Sequence, residues 1–221
     1  MASKQPLRQN KVRGLNLWVD DQPTEKDAST RPFLSTIEKK WIAFQILVGL
    51  RDARNRNVRS PICLENANLE VPQVPHGDVK SENILVTSFN WVYITDFASN
   101  IKPTYLPLDD PADFSFFYDT SGRRTCYVAP ERFYEAGGEI DKKKADLEFY
   151  KKDGTISEAM DVFAAGCVIA ELFMEGTPTF TLSQLFKYRS KELNIEAHLS
   201  AIEDPNVKVR GSLKLRLVNG Y

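Results

Sequence analysis

The stretch His76-Gly77-Asp78-Val79-Lys80-Ser81-Glu82-Asn83 constrains this 221-residue chain more than any other. It is followed by Thr95-Asp96-Phe97-Ala98 and then by Ala129-Pro130-Glu131. The three pieces stand in the order and spacing of a phosphotransfer site, with an acid, a cation and an amide on one short loop and a second acid arriving soon after. Whatever fold the chain adopts has to bring Asp78, Lys80, Asn83 and Asp96 together.

The rest of the composition narrows the class. Lys and Arg number 29 against 30 Asp and Glu, a formal charge of −1, so a polyanionic partner such as nucleic acid is not indicated. Apolar residues at 42% and charged residues at 27% describe an ordinary globular chain with enough material for a sizeable core. The three cysteines, Cys63, Cys126 and Cys167, are odd in number and lack metal-site spacing, which points to a reducing, intracellular compartment. No apolar run reaches the roughly 18 to 20 residues of a membrane span, and Met1-Ala2 lacks the Gly that N-myristoylation requires.

Residues 1–34 read as an irregular lead-in, broken by Pro23 and Pro32. From Ser35 a helix is signalled, with Ser35 and Glu38 as a capping box and Ile37, Trp41, Phe44 and Val48 as its apolar stripe. Between 60 and 75 the prolines Pro61, Pro72 and Pro75 interrupt any period, so this stretch reads as an insertion, either a family-specific loop or a translated intron. Ile84–Val86 and Val92–Ile94 are β-rich runs separated by a turn, a hairpin that would fix Asn83 and Asp96 on one rigid unit. Residues 99–128 are rich in aromatics and acids, and Lys142, Lys143 and Lys144 read as a solvated loop. Ser157 caps a helix whose body from Val162 to Met174 is apolar almost all round and therefore buried, ended by Gly176 and Pro178. Residues 181–204 supply one or two further helices, His198 lying on a helix surface. Residues 206–221 form a divergent tail.

These motifs resemble the catalytic loop, metal-binding loop and activation-segment end of a protein kinase, H-R-D-x-x-x-x-N, D-F-G and A-P-E, with Gly77 in place of Arg and Ala98 in place of Gly. The wording H-G-D-V-K-S-E-N, T-D-F-A-S, K-P-T-Y-L-P, D-P-A-D-F, R-R-T-C-Y-V-A-P-E-R-F and F-A-A-G-C-V-I-A-E-L-F is narrower. It resembles the kinase domain of the large regulatory subunit of the class III phosphatidylinositol 3-kinase complex, the vacuolar-protein-sorting Ser/Thr kinase family, from about Ser29 to Asp204, leaving aside 60–75 and much of 135–156. The two departures are shared by that family. The resemblance implies an α+β, mostly α fold: a kinase-like C-terminal lobe over residues 35–205, lacking the N-lobe.

By this resemblance Asp78 orients and deprotonates a Ser or Thr hydroxyl and Lys80 neutralises the transferred phosphate. Asn83 and Asp96 hold magnesium across the phosphates of ATP. His76 is a packing residue, Glu131 closes the activation segment and pairs with a distant Arg, and Asp161 hydrogen-bonds the backbone of the catalytic loop. Without an Arg at position 77, phosphorylation of Thr120, Ser121 or Thr125 finds no receptor there. No G-x-G-x-x-G loop and no candidate Lys with a partner Glu occur to clamp the α- and β-phosphates. Each lost electrostatic contact costs about 10² to 10³ in rate, so the chain alone is expected to be silent. Implied partners are the lipid-kinase catalytic subunit and the autophagy and sorting subunits. The implied location is cytoplasmic, peripheral on endosomal and autophagic membranes through the complex. A non-catalytic pseudokinase scaffold, a working Ser/Thr kinase and a mis-assigned gene fragment are the alternatives.

Overall fold

The computed structural model describes residues 12–15, 34–55, 74–98, 101–120, 122–136 and 156–204. Most of the insertion read at 60–75, the triple-lysine stretch, Cys63 and the tail at 206–221 lie outside the described residues.

Helix α1 spans Thr36–Asn55. Its first turn is closed reciprocally: the Glu38 amide donates to Ser35 Oγ at 3.3 Å, and the Ser35 amide donates to Glu38 Oε2 at 2.8 Å. The buried face is not the one the large apolar residues predicted. Ile37 is 79% exposed and Phe44 55%, whereas Lys39, Ile42 and Ile46 are buried. Two apolar stripes share this helix, and the side that carries Gly49 wins because it approaches the sheet most closely. A Cβ on Gly49 would sit 2.8 Å from Ile94 Cδ1. The bulky side keeps its aromatics outside, Trp41 stacking on Phe44 with centroids 5.7 Å apart.

The hairpin forms as the alternation of short β-rich runs suggested: β2 is Ile84–Thr87 and β3 is Val92–Ile94, antiparallel, with Ile84 opposite Ile94. Thr87 Oγ1 accepts the amides of Phe89 and Trp91, and Asn90 takes a left-handed φ of 61° to complete the turn. The Gln45 side chain donates to Asn90 O at 2.7 Å and accepts the Val92 amide at 3.2 Å, tying α1 to the hairpin. A third strand, β1 (Val12–Gly14), pairs antiparallel with β2, so part of the stretch read as irregular is ordered by a partner more than 70 residues away. Short-range periodicity cannot reveal such a strand.

Further along lie β4 (Leu106–Pro107), α2 (Ala112–Phe117) and β5 (Phe133–Tyr134), with β4 and β5 parallel. Helix α3 (Glu158–Phe173) starts where Ser157 Oγ accepts the Met160 amide at 3.3 Å. Phe163, Ala165, Cys167, Val168 and Leu172 are almost wholly buried, and the helix ends before Gly176, whose φ is 85°. Helices α4 (Leu182–Arg189) and α5 (Ile195–His198) follow. His198 departs from its reading as a surface residue: it is half-buried, stacks on Phe180 with centroids 5.6 Å apart, and bonds Thr179 O through Nε2.

The core joins Ile42 and Ile46 of α1, Ile84 and Val86 of β2, the body of α3, and Phe180, Leu185 and Leu199. Each such side chain contributes about 1.5–3 kcal/mol of transfer free energy when fully buried. The architecture is mixed helix and sheet with helix dominant, and α3 lies directly beneath the loop that carries Asp78.

Candidate functional site

The loop at 76–83 is held from below by one carboxylate. The amides of His76 and Gly77 donate to Asp161 Oδ2 and Oδ1, each at 2.9 Å, and Arg54 Nη2 lies 3.6 Å from Oδ2. Two adjacent amides can aim at one carboxylate because Gly77 adopts φ 81°, a conformation glycine enters without a Cβ clash. His76 is buried against Phe97, with ring centroids 4.5 Å apart. Its Nδ1 accepts the Asp78 amide at 3.2 Å, which leaves Nε2–H to donate to Thr95 O at 2.9 Å. That pattern needs a neutral ring, and burial indeed pulls the His76 pKa below the ordinary histidine value.

The Asp78 carboxylate is the hub. Its Oδ2 accepts Asn83 Nδ2 at 3.1 Å, and Lys80 Nζ lies 3.3 Å away. Lys102 Nζ donates to the same oxygen at 2.5 Å. Lys80 also donates to Tyr118 O at 3.2 Å, so it joins the loop to the segment after β4. Asn83 Nδ2 makes a second bond, to Asp78 O at 2.9 Å, and with both amide hydrogens used its Oδ1 is the atom left to ligate.

Asp96 is brought beside Asn83 by the hairpin. The Thr95 amide donates to Asn83 O at 2.9 Å, placing the residue after it at the mouth of the same loop. Asp96 is exposed and takes φ 60°, a left-handed conformation that costs energy in a non-glycine residue and is typical of functional sites. The donor set of Asn83 Oδ1 and the Asp96 carboxylate consists of hard oxygens few in number. This suits magnesium, which keeps several waters and is bound jointly with phosphates.

Thus Asp78, Lys80 and Asn83 meet on one carboxylate, and Asp96 follows Thr95, whose amide and hydroxyl both bond Asn83 O, with His76 and Asp161 supporting the loop from behind. Glu131 is elsewhere: it sits in a short 3₁₀ turn at Pro130–Arg132, and its buried Oε2 has no hydrogen-bond partner among the described residues. Burial pushes its pKa above the ordinary value. The tail arginines Arg210 and Arg216 lie outside the described residues. Sequence reasoning missed two residues: Lys102, on the base, and Arg132, buried behind it. The only signal for Lys102 was the K-P-T-Y-L-P wording, which resemblance singled out but to which no role was attached.

A second buried cluster flanks the loop. Glu171 of α3 accepts Arg123 Nη2 at 2.9 Å, Tyr127 Oη at 2.7 Å and Ser81 Oγ at 3.2 Å. Arg123 also bonds Glu82 Oε1 at 3.1 Å. The segment between β4 and β5 is thereby pinned to the C-terminal end of the Asp78 loop, at Ser81 and Glu82.

An Asp–Lys–Asn loop seated on a buried helix, with a second Asp delivered by a hairpin, defines a site of the protein-kinase class. No protein-family model matches the chain. Among curated proteins it is 49% identical over 180 residues to the serine/threonine-protein kinase VPS15 of Arabidopsis thaliana, covering 81% of this chain and 10% of that protein. It is 48% identical over 167 residues to VPS15 of Saccharomyces cerevisiae, 76% of this chain and 10% of that protein. To vps15 of Schizosaccharomyces pombe it is 46% identical over 181 residues, 81% of this chain and 9% of that protein. Over the matched residues the chain belongs to the VPS15 family of serine/threonine-protein kinases. It spans about a tenth of the length of these relatives.

Proposed function

We propose that this chain is the C-terminal lobe of a Ser/Thr protein-kinase-like domain in the regulatory subunit of a class III phosphatidylinositol 3-kinase complex, serving vacuolar or endosomal sorting and autophagy. The observation that carries the phosphotransfer part is the Asp78 hub, with Lys80 and Asn83 on one carboxylate and Asp96 alongside. In this reading Asp78 takes the proton of a Ser or Thr hydroxyl as it attacks. Lys80 balances charge on the transferred group. Asn83 and Asp96 would hold magnesium, which when bound with ATP would supply positive charge to the phosphates. Phosphoryl transfer is mainly positioning and charge stabilisation, so a sequence without a Gly-rich loop transfers phosphate poorly by itself. The complex partners and a peripheral location on endosomal or autophagic membranes rest on the family alone. Among the described residues no helix is long and apolar enough to cross a membrane.

Two experiments test the two halves. Radiolabel transfer from Mg·ATP to a Ser/Thr substrate should vanish in Asp78→Ala; label that survives comes from another kinase, and no label in either protein favours a non-catalytic scaffold. Co-precipitation of the lipid-kinase catalytic subunit with this chain supports the regulatory role, and its absence counts against it.

A further inference from the structure

Gly77 leaves no cation where many kinases place one, yet the structure contains a buried cation that reaches the same loop from the other direction. Arg132, in the turn before β5, is only 4% exposed. Its guanidinium donates to Thr104 O through Nε at 2.7 Å, to Gly77 O through Nη1 at 2.9 Å and to Pro103 O through Nη2 at 2.9 Å. Nη2 also bonds Tyr118 Oη, and the Tyr118 hydroxyl donates in turn to Pro103 O at 2.7 Å. Among the described residues Arg132 forms no ion pair, and four of its five N–H groups are accepted by carbonyls and a phenol. One side chain therefore joins the Asp78 loop, the start of the activation segment and its end, and nothing in that arrangement calls for a phosphate.

The two carbonyls it fixes directly follow Lys102. With residues 103 and 104 held, the backbone of Lys102 is held too, and its Nζ lies 2.5 Å from Asp78 Oδ2 and 5.1 Å from the centre of the Tyr118 ring. The Arg132 guanidinium lies 5.2 Å from that same ring. Lys102 thus occupies one oxygen of the carboxylate that a substrate hydroxyl would approach, the same oxygen that Asn83 and Lys80 face.

We propose that Arg132 is a positioning residue, a phosphate-independent clamp that sets the activation segment so that Lys102 rests on Asp78 as a resident counter-ion closing the base until substrate displaces it. The significance of closing Asp78 rests on the phosphotransfer reading above; the clamp itself is read without activity. The test is site-resolved amine acylation of the full chain by a water-soluble activated ester, quantified by mass spectrometry, before and after phosphatase treatment. Exposed Lys187 is the fast reference, and Lys39, buried and paired with Glu175, is the slow one.

Lys102 should label several-fold more slowly than Lys187, equally so after phosphatase. In Arg132→Met, Lys102 should approach the rate of Lys187 while Lys39 stays slow, and Asp78→Asn should release Lys102 likewise. A Lys102 as fast as Lys187 in the unsubstituted chain overturns the proposal, as does protection that disappears with phosphatase. Protection that persists in Arg132→Met with Lys39 still slow overturns it too. Should Arg132→Met lose protection at Lys39, the variant has unfolded, and the unsubstituted-chain arms decide. A protected Lys102 without phosphotransfer refutes only the activity; Asp78-dependent phosphotransfer with Lys102 unprotected refutes only the clamp.

Discussion

Asp161 of α3 binds Gly77 across 84 residues of sequence, its Oδ1 accepting the Gly77 amide at 2.9 Å while Oδ2 takes that of His76. The carboxylate is buried, and Arg54 stands beside it. Replacing Asp161 by Ala strands two buried amides and takes the carboxylate away from Arg54, which keeps its bond to Ile156 O. The expected cost is about 3–5 kcal/mol in denaturant-induced unfolding, the range for removing one partner of a buried charged pair. Asp161→Asn keeps one acceptor and should lose less. A cost for the Ala variant within the few tenths typical of surface substitutions would mean that the loop finds its geometry without this anchor.

Arg123 and Glu171 form the second tie between loop and segment, and both are well shielded from solvent. Arg123→Met should destabilise by about 3–5 kcal/mol because Glu171 stays buried without its cation. The double variant Arg123→Met/Glu171→Gln should recover part of that loss, a coupling that a double-mutant cycle measures directly. Burial raises the folded pKa of Glu171 despite the hydrogen bonds that oppose it. A raised carboxyl contributes stability that is present below its unfolded value and lost as pH rises through the folded one. The Arg123→Met defect should therefore be larger at pH 7 than near pH 4. A defect independent of pH would show that Glu171 is already neutral in the folded chain.

Much of this was legible from sequence because the signals were local. Ser35 and Glu38, Ser157, and the β-rich runs around the 87–91 turn each act over a few residues, and each element formed where they placed it. The Asp–Lys–Asn loop and Asp96 were legible as a fixed spacing. What escaped depends on long-range geometry. Which stripe of α1 is buried is decided by Gly49 meeting Ile94, β1 exists only because β2 offers it an edge, and Arg132 acts through carbonyls, which carry no residue identity. Lys102 lies 24 residues from Asp78, and the K-P-T-Y-L-P wording it opens carries no trace of that contact.

The buried imidazole of His76 supplies a pH dependence of opposite sign to that of Glu171. Burial lowers its folded pKa below the ordinary value of 6.5, although Asp161 and Asp78 oppose the shift. A depressed histidine contributes stability that is fully present above 6.5 and lost as pH falls from there toward the folded pKa, since the unfolded chain takes up the proton first. Protonation would also remove Nδ1 as the acceptor for the Asp78 amide. Melting temperature should fall between pH 7.5 and pH 5 in the unsubstituted chain, and less so in His76→Gln, which is less stable at every pH. An equal fall in both proteins would assign the titration to other groups.

Glu131 gives the clearest single-substitution test. Among the described residues its buried Oε2 has no hydrogen-bond partner, and burial raises its pKa from the ordinary 4.5. A buried polar atom left unsatisfied costs about 1–3 kcal/mol, and an ionised one costs more. With the folded pKa raised, the favourable difference exists below 4.5 and disappears as pH climbs through the folded value, so at neutral pH the ionised side chain burdens the fold. Glu131→Gln keeps the shape and removes the charge. It should raise the melting temperature at pH 7 and change it little near pH 4. A lower melting temperature at pH 7 would mean that the carboxylate has a cationic partner, and the arginines at 210 and 216 would be the first to substitute in search of it.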